Sequence, residues 1–476
     1  MNRRVFASFL LAVASAATFG LASAQAGFEL APIISDHMVL QRSKPIVLWG
    51  WDAPGQQVNV TLAGSNARAT ADAQGRWQVT LPAMPAGGPY EIVISGSVTV
   101  TVKDVLVGEV WLCSGQSNME WTVASSDNPK EEAAAANYPL IRHIKVPHVP
   151  SDKPQRNVNA GAWTVCSPAT VPQYTAVGYF FARKLHKDLD GVPIGLIGSN
   201  WGGTRIEPWT PPVGFQSVPA LKEIADNLAK FPTKNEKGEI NFQTPLALYN
   251  GMIAPFVPYG IRGALWYQGE SNNGEGMLYF EKKKALIEGW RKIWNDPTMP
   301  FLFVQLAPFV YGNSNPENLA GIWEAQTKTL EIPHTGMAVT VDIGNVKDIH
   351  PKNKQDVGKR LALWALAKTY GKPVAVYSGP LYKSHKVENG AVRVAFDHVG
   401  SGLVSRDGQP LSWWEVAGED GAFKKAEATI DGNTVVVKSA EVAAPVAVRY
   451  AWNQAAEPNL SNKDGMPASP FRAGGK

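Results

Sequence analysis

The sequence predicts an α/β fold: a doubly wound, mostly parallel sheet forming the core, flanked by β-rich N- and C-terminal modules. Three observations predict it. Between about Val105 and Gly371, short apolar runs alternate with longer stretches whose apolar residues fall at helical spacing, the pattern of a parallel sheet covered on both faces. Before and after that region, β-rich alternation is broken every few residues by turn signals. Finally, 476 residues with 45% hydrophobic and 18% charged content support a full-sized core and exclude a disordered chain or a disulfide scaffold.

Taken in order, residues 1–24 read as an export signal. Met1 to Arg4 supplies the positive flank, Val5 to Leu21 an apolar and small-residue run, and Ala22, Ser23 and Ala24 a small-residue cleavage site before Gln25. A periplasmic or secreted protein is expected, with a signal anchor as the competing reading. No later apolar run reaches the ~18 residues that a membrane span needs. The formal charge of +4 includes Arg3 and Arg4 of that signal, so nothing calls for a nucleic-acid partner. The two cysteines, Cys113 and Cys166, either form one bridge, if their α-carbons approach within ~7 Å, or are two buried thiols.

Residues 25–104 form the N-terminal β module, with PIVLWGWDAPGQQVNVTLAG, GRWQVTLP and YEIVISG as its alternating strands and turns. Residues 105–372 form the α/β core. Its buried strands are VLVGEVWLC, VPIGLIGS, IRGALWYQG, MPFLFVQLA and TGMAVTVDIG, and its helices run over Ala176–Leu189, Leu278–Trp294 and Lys354–Lys368. Residues 373–476 return to β patterning with AVRVAF, TVVVKS and VAVRYAW. The two β-rich ends are compatible with one module or two.

In a doubly wound sheet, ligands collect beyond the carboxyl ends of the strands, and four segments leave those ends with chemically useful residues. In GEVWLCSGQSNMEW, Gly115 allows a sharp turn so that Ser117 opens a helix, where its hydroxyl faces the cleft and the helix dipole and its own amide favour an oxyanion. In GLIGSNWGGTRIEPW, adjacent Gly202 and Gly203 free a backbone amide for close approach, or simply make a turn. In GALWYQGESNN, an apolar strand gives way abruptly to Gln268, Glu270, Ser271, Asn272 and Asn273, which must find partners, water or substrate. In TVDIGNVKDIHPKNKQDVGKRLALWAL, Pro351 restrains His350 on a fixed turn before a helix. A hydroxyl, glycine amides, side-chain amides and an imidazole at one sheet edge are the components that acyl transfer requires.

GQSNMEW, WGGT, WYQGESN, DIHPKNKQDVGKRLA and the closing PVAVRYAWNQAAEPNLSNKDGMPASPF resemble the sialate O-acetylesterase family of the SGNH hydrolase superfamily. The resemblance covers nearly the whole mature chain. It implies an SGNH-type (flavodoxin-like) core, with Ser117 as nucleophile, His350 as general base and the amides of Ser117 and Gly203 in the oxyanion hole. Gln268, or else Asn272, would complete that hole. The superfamily places an acid three residues before its histidine, where this chain has Lys347. Asp348 is therefore the first choice to orient the imidazole, Glu270 the second, and a backbone carbonyl the third.

The expected reaction is hydrolysis of an acetyl ester through an acyl-enzyme, with no metal and no organic cofactor. Acetylated sialic acid is the expected substrate and acetylated plant hemicellulose, such as xylan or xyloglucan, the alternative. Trp121, Trp201 and Trp209 offer faces for sugar rings unless they are core residues, as Trp266 is expected to be. Arg205 would pair with a sialic-acid carboxylate, or with a neighbouring acid. His143 and His148 form a loose zinc half-site without a second pair of ligands, Ser126-Asp127-Asn128 lacks an accompanying Ser-x-x-Lys, and Met119 stands where an α/β-hydrolase elbow needs glycine. A carbohydrate-binding protein with an inert core is the competing reading from outside enzymology.

Overall fold

The computed structural model describes residues 27–312 and 314–475. The export signal lies outside the described residues. Six strands build the central sheet: β1 (Thr99–Gly115), β2 (Tyr138–Lys145), β3 (Ile194–Asn200), β4 (Gly263–Tyr267), β5 (Phe301–Val304) and β6 (Thr335–Ala338). They lie in the order β2-β3-β1-β4-β5-β6, every neighbouring pair parallel. Thr164–Cys166 adds a short antiparallel edge to β2.

Without β2, the order is that of the flavodoxin-like doubly wound sheet. Direction of winding reverses at β1, and ligands favour the crevice above such a switch point. β2 is the strand absent from the sequence reading, because YPLIRHIK mixes charge into its apolar run.

Five helices matter for the site: α1 (Ser117–Glu120), α2 (Ala176–Asp188), α3 (Leu278–Ile293), α4 (Asn318–Lys328) and α5 (Lys354–Trp364). α3 buries Tyr279, Lys283, Leu286, Ile287 and Trp290, a stripe at the spacing of one helical face. α5 begins where Asn353 accepts from the Asp356 amide at 3.0 Å and donates to the Asp356 carboxylate at 2.8 Å, a reciprocal cap for its first turn. It ends at Trp364 in a wider turn over Ala365–Thr369, four residues before the expected end. α2 packs directly on α5.

The N-terminal module is continuous with the core. β1 pairs antiparallel with Gly87–Ser95 over its first half, then parallel with Val39–Gln41, and only then with β3 and β4. The boundary expected at residue 104 thus falls inside one strand. Glu109, fully buried on β1, receives Arg42 at 2.5 Å, Gln41 at 3.0 Å and Arg262 at 2.7 Å, so module and core share an ion cluster as well as apolar packing. The C-terminal module has a core of its own, around Val394, Phe396, Trp414, Val435, Val448 and Tyr450. The two β-rich ends thus contribute to separate apolar clusters.

Both cysteines are free and buried. Burial pushes the Cys166 thiol up to about 11 and Cys113 higher still, which suppresses thiolate chemistry. Among the described residues, no helix is long and apolar enough to cross a membrane.

Candidate active site

β1 ends at Gly115, whose φ of +131° no ordinary residue adopts readily. A side chain there would also be driven into the carbonyl oxygen of Tyr267 on β4. The turn that follows starts α1 at Ser117. This helix is one turn long, so the dipole invoked from sequence is that of a single turn, and the local amides count for more.

His350 Nε2 lies 2.9 Å from Ser117 Oγ, within reach for proton transfer. The main chain at His350 is held on both sides. Asp348 Oδ1 accepts from the His350 amide at 2.9 Å, and Asn118 Nδ2 donates to the Ile349 carbonyl at 2.9 Å. Among the described residues, His350 Nδ1 makes no hydrogen bond. Asp348, first choice as the orienting acid, thus grips the main chain, because the two-residue offset folds its carboxylate back into its own turn.

Glu270, the second choice, makes no hydrogen bond with the imidazole. Its Oε1 accepts from Asn118 Nδ2 at 2.7 Å, while Oε2 is buried without a partner. Asn118 Oδ1 in turn accepts from Lys354 Nζ at 2.5 Å, so a buried Lys354–Asn118–Glu270 chain underlies the Ser–His pair. Burial drives Lys354 down to about 7 against the pull of Glu270, Asp348 and Asp127. Burial raises Glu270 in spite of its bond from Asn118 and the nearby Lys354. His350 sits below the ordinary imidazole value, chiefly through burial and then the Lys354 charge, with Asp348 opposing.

The glycine loop after β3 lies against the nucleophile. A Cβ on Gly202 would stand 3.3 Å from Ser117 Cβ. Glu120, on the last turn of α1, anchors that loop by accepting from the Gly202 amide at 2.8 Å and from His148 and Lys145 at 2.8 and 2.9 Å. Burial works against ionisation of Glu120, but these partners outweigh it and hold the carboxyl at about 2. Gly203, at φ +73°, presents the next amide. Among the described residues neither the Ser117 nor the Gly203 amide has a hydrogen-bond acceptor, as a pair awaiting an oxyanion requires.

Gln268 and Asn272 are placed elsewhere. Gln268 is fully buried, its Nε2 donating to the Thr204 carbonyl at 3.1 Å and Asn272 Oδ1 at 2.7 Å, while its Oε1 accepts from Tyr279 at 2.9 Å. Asn272 Nδ2 donates to Glu207 at 3.0 Å and Glu275 at 3.1 Å. Both amides fasten the loops after β3 and β4 to each other, and in this arrangement each spends both of its side-chain N–H groups on acceptors within the protein. Gln116 does similar work, its Oε1 accepting from the amides of Gly269 at 3.4 Å and Ser271 at 3.3 Å.

Arg205 joins the same network. Its guanidinium bonds Glu207, Glu275 and the Ser271 carbonyl, and Lys282 meets the same two acids at 2.6 and 2.8 Å. Two carboxylates within reach, Glu207 and Glu275, supply the planar partners a guanidinium seeks. Trp209 is a core residue, fully buried like Trp266. Trp201 is stacked against both His148 (4.4 Å, 3°) and Phe242 (4.7 Å, 11°), so its indole already has protein rings as partners. Trp121 stacks on His350 itself. His143 is buried against Tyr174, apart from the His148–Glu120 pair, and among the described residues no cluster of three His, Cys, Asp or Glu side chains could hold a metal ion.

Sequence reasoning passed over Asn118, Glu120 and Lys354. All three lie inside the quoted motifs, and the available signal was their polarity beside residues that had to be buried.

A family described as carbohydrate esterase, sialic acid-specific acetylesterase, matches residues 107–367. The sialate O-acetylesterase of Mus musculus is 31% identical over 433 residues, 79% of this chain and 80% of that protein. The Homo sapiens sialate O-acetylesterase is 33% identical over 402 residues, 75% and 74% of the two chains. The crystal structure of a carbohydrate acetylesterase from Xanthomonas citri superposes with a TM-score of 0.86 at 42% identity, covering 94% of this chain and 99% of that one.

Proposed function

The chain belongs to the carbohydrate esterase family of sialic acid-specific acetylesterases, and from that premise we propose that it is an exported serine esterase that deacetylates sugars through a Ser117–His350 acyl-enzyme. The observation that carries this reading is the 2.9 Å contact between His350 Nε2 and Ser117 Oγ, made beside two unengaged amides.

The reaction runs in two halves. Ser117 Oγ forms a bond to the acetyl carbon as its proton passes to His350 Nε2, and the carbonyl electrons move onto oxygen, facing the amides of Ser117 and Gly203. Collapse breaks the bond to the sugar oxygen, which takes the proton from His350. Water then gives a proton to His350 and attacks the acetyl carbon. The Ser117 ester bond breaks, Oγ recovers the proton from His350, and acetic acid leaves and gives its remaining proton to solvent to become acetate. Export is proposed from the positive flank, apolar run and small-residue cleavage site of residues 1–24.

Acetylated sialic acid is the substrate suggested by kinship. A second reading, acetylated hemicellulose such as xylan or xyloglucan, is favoured by one observation: Arg205, Lys145 and Lys354 are all bonded to acceptors of the protein itself, and a neutral sugar has no carboxylate for a cation to meet. Acetate release from a panel of acetylated sialic acids and hemicelluloses, by wild type and Ser117→Ala, tests both. Loss of about 10⁶ in kcat on removing the nucleophile is the scale expected. Undiminished release by Ser117→Ala would refute the mechanism, and glycan binding without Ser117-dependent release would favour a binding protein.

A further inference from the structure

Trp121, expected from sequence to be a platform for a sugar, has another neighbour. The imidazole of His350 lies on its indole with ring centroids 4.6 Å apart and planes 16° from parallel. The indole is anchored independently of that contact. The Trp121 amide donates to the Ser117 carbonyl at 2.8 Å, its carbonyl accepts from Ala176 at 2.8 Å, and its Nε1 donates to the Ser125 carbonyl at 2.7 Å. A flat, rigid surface is thus attached to the same turn as the nucleophile, four residues further along.

His350 needs such a surface. Its main chain is held by Asp348 and the carbonyl before it by Asn118, but those bonds do not stop the ring turning. In a three-residue system a carboxylate on the second nitrogen fixes the ring and favours the imidazolium. Here no described residue bonds that nitrogen. An aromatic face restrains the ring plane by contact, and its quadrupole attracts a cation lying over it.

We propose that Trp121 is a positioning residue for His350, keeping the imidazole aligned with Ser117 Oγ and favouring the imidazolium that forms as Ser117 gives up its proton. This inference rests on the Ser117–His350 reading above. The groups facing the imidazole are Ser117 from α1, Lys354 from α5 and Asp348 from its own turn. Glu270 is joined to this assembly through Asn118, and Asp127 acts on Lys354. Lys354 Nζ also lies 5.9 Å from the Trp121 ring centroid, so replacing the indole alters the surroundings of that amine as well.

The test compares wild type, Trp121→Phe and Trp121→Leu on p-nitrophenyl acetate and on an acetylated sugar, with Ser117→Ala as control and active-site titration by a serine-reactive phosphonate to count functional enzyme. Removing a group that stabilises imidazolium lowers the pKa of the base. Trp121→Leu should therefore reduce kcat about 3- to 30-fold at little change in KM, and move the acid limb of kcat/KM down by about 0.4 to 1.5 pH units. Trp121→Phe, which keeps a ring, should fall between. A loss confined to the sugar substrate, seen as a raised KM with an unmoved limb, would overturn the inference and restore a sugar platform. Profiles identical to wild type while Ser117→Ala is inactive would overturn the inference alone. Acetate release surviving Ser117→Ala would overturn the underlying reading as well.

Discussion

Lys354 Nζ stands 2.5 Å from Asn118 Oδ1, which ties a fully buried cation to the residue directly after the nucleophile. The charge lies close enough to His350 to disfavour imidazolium, adding to the effect of burial.

A pH dependence follows with a definite sign. The base works when neutral and its pKa is depressed, so the acid limb of kcat/KM should lie below the ordinary ~6.5 of imidazole. Lys354→Met removes the positive charge and should move that limb upward, with the difference confined to pH below about 7, where Lys354 is protonated. Superimposable pH–rate profiles would show that the charge does not reach the imidazole.

Asn118 carries three bonds, to Glu270, Lys354 and the Ile349 carbonyl. Asn118→Leu keeps the approximate size and leaves a buried carboxyl oxygen and a buried amine without their partner. The expected cost is about 2 to 5 kcal/mol in urea unfolding, with a fall in kcat because the main chain before His350 is released. Stability within about 0.5 kcal/mol of wild type would contradict this account.

Gln268→Ala distinguishes a structural amide from an oxyanion donor. With three partners inside the protein, its loss should lower unfolding stability by about 1 to 3 kcal/mol. The fall in kcat per titrated site should stay below the roughly 10²-fold that removal of an oxyanion donor brings. A larger kcat loss at unchanged stability would return Gln268 to the oxyanion hole.

Arg205→Ala should act on the fold and not on substrate choice. Glu207 and Glu275 would keep Lys282 but lose the guanidinium, and a loss of about 1 to 3 kcal/mol is expected. KM should change alike for acidic and neutral acetylated sugars. A selective rise for acetylated sialic acid would show that Arg205 exchanges its internal partners for the substrate carboxylate.

The fold was legible because its signals are local. The apolar runs ending at Cys113, Ser199, Gly269, Ala307 and Gly344 each overlap a core strand, and the helical spacing of 176–189 and 278–294 holds to within a residue at either end. β2 escaped notice because Arg142 and His143 interrupt its apolar pattern, and the Asp104 and Tyr174 that meet them in the buried state come from other parts of the chain. α4 was likewise passed over, its buried stripe including small Ala320 and Ala325 and the polar Gln326.

What the sequence by itself determined is which loops emerge from the sheet and which reactive groups they bear, since strand and helix periodicity and the turns at Gly115 and Pro351 depend on neighbours in the chain. Only the tertiary structure decided what each of those groups touches. Gln268 and Arg205 look like ligand donors until acceptors 64 and 70 residues away take them up, and Trp121 looks like a sugar platform until His350 lies on it. The physical reason is that a hydrogen bond or a ring stack is a contact of a few ångströms. The strand order, which brings the ends of β1, β3 and β4 together beside the turn before α5, selects among partners that the linear chain leaves open.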